Sequence, residues 1–126
     1  MKLHHIGFVV KDIEKYENNM LFEAKINEIE DTIQNSKLSL YKNYTNSYIE
    51  LIQPLNDSAF TYNFLQKNGD GFHHLCYEVN TEQEIIEITK NLRLIKVLGP
   101  VPALLFDNRH VYFYYSRNKN IVEFIV

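Results

Sequence analysis

Two doubled histidines and two glutamates carry the chemical interest of this chain. His4 and His5 open the run "LHHIGFVV", His73 and His74 open "GFHHLCYEV", and together they use four of the five histidines. Glu50 in "YIELI" and Glu123 in "IVEFI" are carboxylates flanked by apolar residues. A charge in that setting is expensive to bury unless it is paired or bound to a cation. Taken singly, each histidine could be a hydrogen-bonded structural residue, and each glutamate could face solvent on an edge strand. The spacing argues otherwise: His5 and His74 stand 69 residues apart, Glu50 and Glu123 73 apart. Histidine and glutamate recurring together at equivalent places point to one shared metal site. Two imidazole nitrogens and two carboxylate oxygens, with no thiolate, suit one divalent first-row ion: Zn, Ni, Co, Mn or Fe. Four protein ligands around a six-coordinate ion leave two positions for water or substrate.

Strands must bring these groups together. With side chains alternating between faces, His5 shares its face with Gly7 and Val9, and His4 shares the other with Ile6, Phe8 and Val10. Glu50 lies with Tyr48 and Ile52, and Glu123 with Ile121 and Ile125. His4 and His73 recur as faithfully as their neighbours, so the repeat leaves open which member of each pair is the ligand. After the first strand comes "KDIEKYENNML", where Ile13, Tyr16, Met20 and Leu21 fall at helical spacing and Asp12 is placed to cap. Three β candidates follow, "AKINEIE", "KLSLYKN" and "SYIELIQPL", the last ended by Pro54. "NDSAFTYNFLQKNGDG" reads as a linker holding one or two helical turns around Phe60 to Leu65, closed by a glycine-rich stop.

The pattern then restarts. A strand from Phe72 to Val79 leads into the amphipathic helix "TEQEIIEITKNL", with Thr81 and Glu84 spaced as a capping box. Four short β-rich runs follow: "RLIKVLG", "PVPALLF", "HVYFYYS" and "NIVEFIV". In "HVYFYYS", Tyr112 to Tyr115 read as the two faces of a packed strand, and His110, which has no counterpart, as polar surface. Each half therefore has the order strand, helix, three strands. Module one covers about 1–56, the linker about 57–70 and module two about 71–126 of a single α+β domain. One such unit cannot bury its sheet face alone, so two should pair around a common core.

Composition limits the classes of function. At 126 residues and 45% hydrophobic, the chain can bury the core of one domain. A net charge of −3, with both signs mixed along the chain, offers no basic face for nucleic acid. No apolar stretch approaches the roughly 20 residues that span a bilayer, so no membrane partner is expected. "MKLHHIGFVV" lacks the features of a secretory signal, and the single Cys76 cannot form an internal disulfide. The expected location is the cytoplasm.

"HHIGFVVKDIEKY", "IELIQPLNDSAFTYNFLQKNGDGFHHLCYEV" and "NRHVYFYYSRNKNIVEFIV" resemble the vicinal oxygen chelate superfamily, most closely its methylmalonyl-CoA epimerase branch, with glyoxalase I a further relative. The resemblance implies two βαβββ modules forming one curved, U-shaped mixed sheet around a divalent metal, in a homodimer that acts on a small molecule. Its ligand positions match His5, Glu50, His74 and Glu123, which selects the second histidine of each pair. The implied activity is a metal-dependent isomerase or epimerase that stabilises an enolate or enediolate of a small oxygenated or thioester substrate. A glyoxalase I-type lyase and a non-catalytic binding protein of the bleomycin-resistance type are the alternatives. An oxygenase fits less well, because its facial triad has one carboxylate and this set has two.

Departures from the epimerase pattern bear on the substrate. The third-strand glutamate that serves the epimerases has no acidic match in "SKLSLYKN". Glu78 shares a face with His74 but lies about 13 Å along the strand. "YYSRNKN" replaces the His-Pro-Lys and glycine-rich turn before the last strand, and the Asp-Pro-Asp-Gly-like turn of glyoxalase I is missing too. Glu123 and Glu50 remain the catalytic candidates.

Overall fold

In the computed structural model, which describes residues 1–126, β1 (Lys2–Val9) buries His5, Gly7 and Val9 and half-exposes the residues between them. That alternation is what a strand with one face on a core requires. Module one continues with α1 (Ile13–Glu17), β2 (Ala24–Asp31), β3 (Ser36–Lys42) and β4 (Tyr48–Pro54). After α2 (Tyr62–Asn68), module two repeats the order with β5 (Gly71–Glu78), α3 (Glu82–Leu92), β6 (Ile95–Ala103), β7 (Arg109–Tyr115) and β8 (Ile121–Ile125).

All eight strands form one mixed sheet in the order β2-β3-β4-β1-β5-β8-β7-β6. β1 pairs with β4 and β5 with β8 in parallel, whereas the central β1–β5 seam is antiparallel. Each half therefore mirrors the other across that seam. The inner face gathers Val9, Leu38, Leu40, Ile52, Cys76, Val111, Phe113 and Ile125 into the main core. On the outer face, α1 covers Tyr41 and Leu51 through Ile13, and α3 covers Tyr112, Tyr114 and Phe124 through Ile85. β7 thus sends Val111 and Phe113 inward and Tyr112 and Tyr114 outward, as alternation demands. A 3-10 turn, Leu104–Phe106, follows β6 and lies against β2 from the opposite end of the sheet. The sheet is curled so that the turn after β6 reaches β2, and this curled α+β sheet is the glyoxalase-like U shape.

Three local expectations change. The helix read across "KDIEKYENNML" is only five residues long. Asp12 caps it by accepting the Lys15 N–H at 3.1 Å, but Asn18 and Asn19, weak helix formers, follow at once. Met20 still packs against the outer cluster, whereas Leu21 is left 77% exposed. "RLIKVLG" and most of "PVPALLF", set down as separate runs, join into one strand that completes the three of module two; it is bulged between Lys96 and Val101, where Pro100 offers no N–H and Gly99 takes a φ of 114°. At α3, the Thr81 hydroxyl accepts the Glu84 N–H at 3.2 Å, but the Thr81 N–H makes no return bond to the Glu84 carboxylate, which leaves half a capping box. No helix is long and apolar enough to cross a membrane.

Candidate metal centre

β1, β4, β5 and β8 are the four central strands, and each supplies one group to the middle of the inner face. His5 and His74 are fully buried, and Glu50 and Glu123 nearly so. The two imidazole Nε2 atoms lie 3.1 Å apart. Glu123 Oε2 stands 3.1 Å from His5 Nε2 and 2.8 Å from His74 Nε2, and Glu50 Oε1 stands 3.5 and 3.8 Å from the same two atoms. All four potential ligand atoms fall within 4.8 Å of one another. Although Glu123 Oε2 is close to both rings, neither contact has hydrogen-bond geometry, so this buried oxygen has no partner. An unpartnered carboxylate oxygen beside two inward-pointing nitrogens is what a cation would satisfy.

The doubled histidines have a backbone explanation. Along the β1–β5 seam, Leu3 faces Tyr77 and His5 faces Cys76, so His4 is an extra residue in β1. Gly7 faces His74 and Phe8 faces Phe72, so His73 is an extra residue in β5. Each pair thus straddles a register shift, and strict alternation fails there. This corrects the assignment of His4 to the outer face with Ile6 and Phe8. Its ring instead meets Phe106 at 5.0 Å and Tyr48 at 5.3 Å, both of them packed with the inner core, while His73 sits edge-on to Phe64 and Phe60. His4 Nδ1 lies 2.8 Å from His5 Nδ1, and His73 Nδ1 2.9 Å from His74 Nδ1. For His5 and His74 to present bare Nε2 lone pairs to the centre, their Nδ1 must carry the proton and donate it to the outer histidine.

For the two outer rings the electrostatics agree with those roles. Burial, helped by the neighbouring His5, depresses the His4 pKa to about 4, and burial with the neighbouring His74 depresses that of His73 to about 3. Both outer rings are therefore neutral acceptors near pH 7. Burial alone would lower the His5 pKa, yet Cys76, Glu50 and Glu123 hold it well above the ordinary histidine value. The Cys76 thiol is itself pushed far up by burial and stays neutral, so the pull on His5 comes from the two carboxylates. Burial would raise the Glu123 pKa, but His74 and His5 hold its carboxyl well below the usual range.

Gly7 is the site residue that pattern reading passed over. It faces Glu50 on one side and His74 on the other. A Cβ there would stand 2.2 Å from His74 Cε1, so the missing side chain is the space the imidazole occupies. The only signal in the sequence is its place two residues after His5 on the same face.

A cavity of about 20 Å³ adjoins the carboxylates and is lined by Glu50, Glu123, Thr61, Phe60, Phe106 and residues of β3 among others. β3 and the turn before it contribute Gln34, Ser36 and Leu38, so no third acid reaches the cavity from that side. Glu78 is engaged elsewhere, paired with Arg109 and 3.6 Å from Lys2. His110 is an exposed residue 3.8 Å from Glu82, a surface group as expected.

Comparison with known proteins agrees with this architecture. The family model described as Glyoxalase/Bleomycin resistance protein/Dioxygenase superfamily matches residues 4–123. The chain is similar to the mitochondrial methylmalonyl-CoA epimerase of Dictyostelium discoideum, at 26% identity over 126 aligned residues that cover 94% of this chain and 73% of that protein. It is also similar to an ethylmalonyl-CoA/methylmalonyl-CoA epimerase of Cereibacter sphaeroides, at 31% identity over 83 residues, 62% of this chain and 60% of that one. The solved methylmalonyl-CoA epimerase of Mycobacterium tuberculosis shares the fold, with a TM-score of 0.80 at 21% identity, covering 98% of this chain and 85% of its own.

Proposed function

The chain belongs to the glyoxalase/bleomycin resistance/dioxygenase superfamily, and from that premise we propose that it is a metal-dependent, epimerase-like isomerase acting on a small CoA thioester. The observation that carries the proposal is the convergence of His5, Glu50, His74 and Glu123 around an unpartnered buried carboxylate oxygen. These four residues would hold one divalent ion. When bound, the ion would polarise a substrate carbonyl and so acidify the adjacent C–H bond. The relatives named above are isomerases, and no feature of the cavity favours a lyase.

The protein's own groups set the proton chemistry. Glu123 and Glu50 are the two carboxylates that border both the cavity and the imidazole nitrogens. Removing the α-proton leaves an enolate, and returning a proton to the opposite face completes an inversion. Two faces need two relays, and a well-placed acid or base is worth roughly 10²–10⁴-fold. Both carboxylates of this cavity belong to the metal set, and β3 supplies no independent acid. One face is therefore served well and the other poorly.

With methylmalonyl-CoA in deuterated water, the metal-loaded protein should take up deuterium at the α-carbon faster than it inverts that carbon. Inversion keeping pace with uptake would show that the missing acid is dispensable. Absence of uptake with metal bound would favour a non-catalytic binding protein. The proposal includes a homodimer, as the resemblance implies, and a location in the reducing cytoplasm, which the single buried Cys76 suits. Light scattering at high concentration should give twice the chain mass, and a monomeric mass would remove the dimer from the proposal.

A further inference from the structure

Thr61 stands at the N-terminus of α2 without doing what a threonine there normally does. Asp12 and Thr81 cap their helices through side-chain bonds to a backbone N–H, but Thr61 makes no such bond. It is 4% exposed, and its hydroxyl has no hydrogen-bond partner. Leaving a buried hydroxyl unpaired is costly, and native structures retain such groups only for a reason.

Its surroundings supply one. Thr61 lines the same cavity as Glu50 and Glu123. The other polar walls are already engaged: Ser36 donates to the Gln34 carbonyl at 3.1 Å, and the Gln34 amide donates to Asp31 at 3.3 Å. The Thr61 hydroxyl and Glu123 Oε2 are thus the two unpartnered buried side-chain atoms of this wall, one a neutral donor and the other facing the metal set. No lysine or arginine lines the cavity, so a second free carboxylate away from the ion would find no counter-charge. A hydroxyl or carbonyl oxygen would find its donor.

We propose that Thr61 is a specificity-determining residue that donates a hydrogen bond to a neutral oxygen substituent beside the metal-bound group of the substrate. The inference rests on the metal reading above and narrows it: the substrate class is a malonyl-type compound that carries, in place of a plain methyl, a hydroxyl on its acidic carbon or a carbonyl next to that carbon. A site built around a hydrogen bond rejects an analogue that lacks the partner, because its own buried group is then left unpaired.

The test compares methylmalonate with hydroxymalonate, which differ by a methyl against a hydroxyl on the central carbon, titrated calorimetrically into the zinc-loaded full chain. Zinc uptake is measured first. Wild type should bind hydroxymalonate about tenfold more tightly than methylmalonate, the worth of one good hydrogen bond. Thr61→Val, which keeps the shape and removes the hydroxyl, should lose that preference, and Thr61→Ser should keep it. Because zinc is the same in every variant, direct chelation by the ligand hydroxyl cancels from the comparison. An unchanged preference in Thr61→Val would overturn the inference and leave Thr61 as the partner of one internal water, for which the cavity has room. Failure of both acids to bind the zinc-loaded protein would overturn it as well while sparing the metal site. Failure of the wild type to take up zinc would refute the metal reading and the inference with it.

Discussion

His4 and His73 show how a single backbone irregularity changes the work of a side chain. Alternation alone sends them away from His5 and His74, but the register shifts in β1 and β5 bring each outer ring within 2.9 Å of its neighbour's Nδ1. The two glutamates and the two histidine pairs were readable from the sequence because they recur in both halves, whereas the choice of His5 and His74 within the pairs came from the resemblance. The shifts were not, since they depend on which residue of the partner strand lies opposite. Thr61 was hidden for a related reason: a threonine before a helix reads as a cap, and only burial and hydrogen bonding reveal that its hydroxyl goes unused. Gly7 provides the residue-scale prediction. Gly7→Ala should keep the fold but displace the His74 ring, which its Cβ would meet at 2.2 Å. Overpacking of this kind costs about 1–3 kcal/mol, and metal affinity should fall at least roughly tenfold, the loss typical when a ligand's support is disturbed. Wild-type affinity in a calorimetric titration of Gly7→Ala would show that the ring has room to shift.

At the scale of elements, α1 and α3 lie across the sheet from the site, whereas α2 lies on the site's own side through Leu65. α3 anchors to the outer face through Ile85, which is 2% exposed among Val79, Tyr112, Tyr114 and Phe124. Ile85→Ala should therefore destabilise the protein by about 2–5 kcal/mol, measured by urea unfolding, while zinc stoichiometry in the folded protein stays unchanged. Loss of zinc binding in a folded Ile85→Ala protein would mean that the outer helices help to set the ligand geometry. α3 was readable because its apolar positions recur at helical spacing and Thr81 marks its start. α1 was overextended because Met20 and Leu21 continued the same period beyond Asn18 and Asn19, although only Met20 packs. β6 was split because a glycine-proline step looks like a chain break and here sits inside a bulged strand.

At the scale of the molecule, duplication is what creates the site. Each module supplies one imidazole and one carboxylate, and the antiparallel β1–β5 seam sets the two pairs face to face. The same duplication made the architecture readable in advance, because neither βαβββ unit could bury its sheet alone. The 3-10 turn that links the two ends of the curl was not readable: "ALLF" looks like more strand, and the turn's place depends on β2 reaching it from the other end of the sheet. The claim that the two modules jointly hold one ion is tested most directly by titrating zinc into the metal-free full chain and its variants. Wild type should take up one equivalent per chain and His74→Ala essentially none, whereas His4→Ala should keep the stoichiometry and bind about 10–100-fold more weakly. No uptake by the wild type, or undiminished uptake by His74→Ala, would contradict the account.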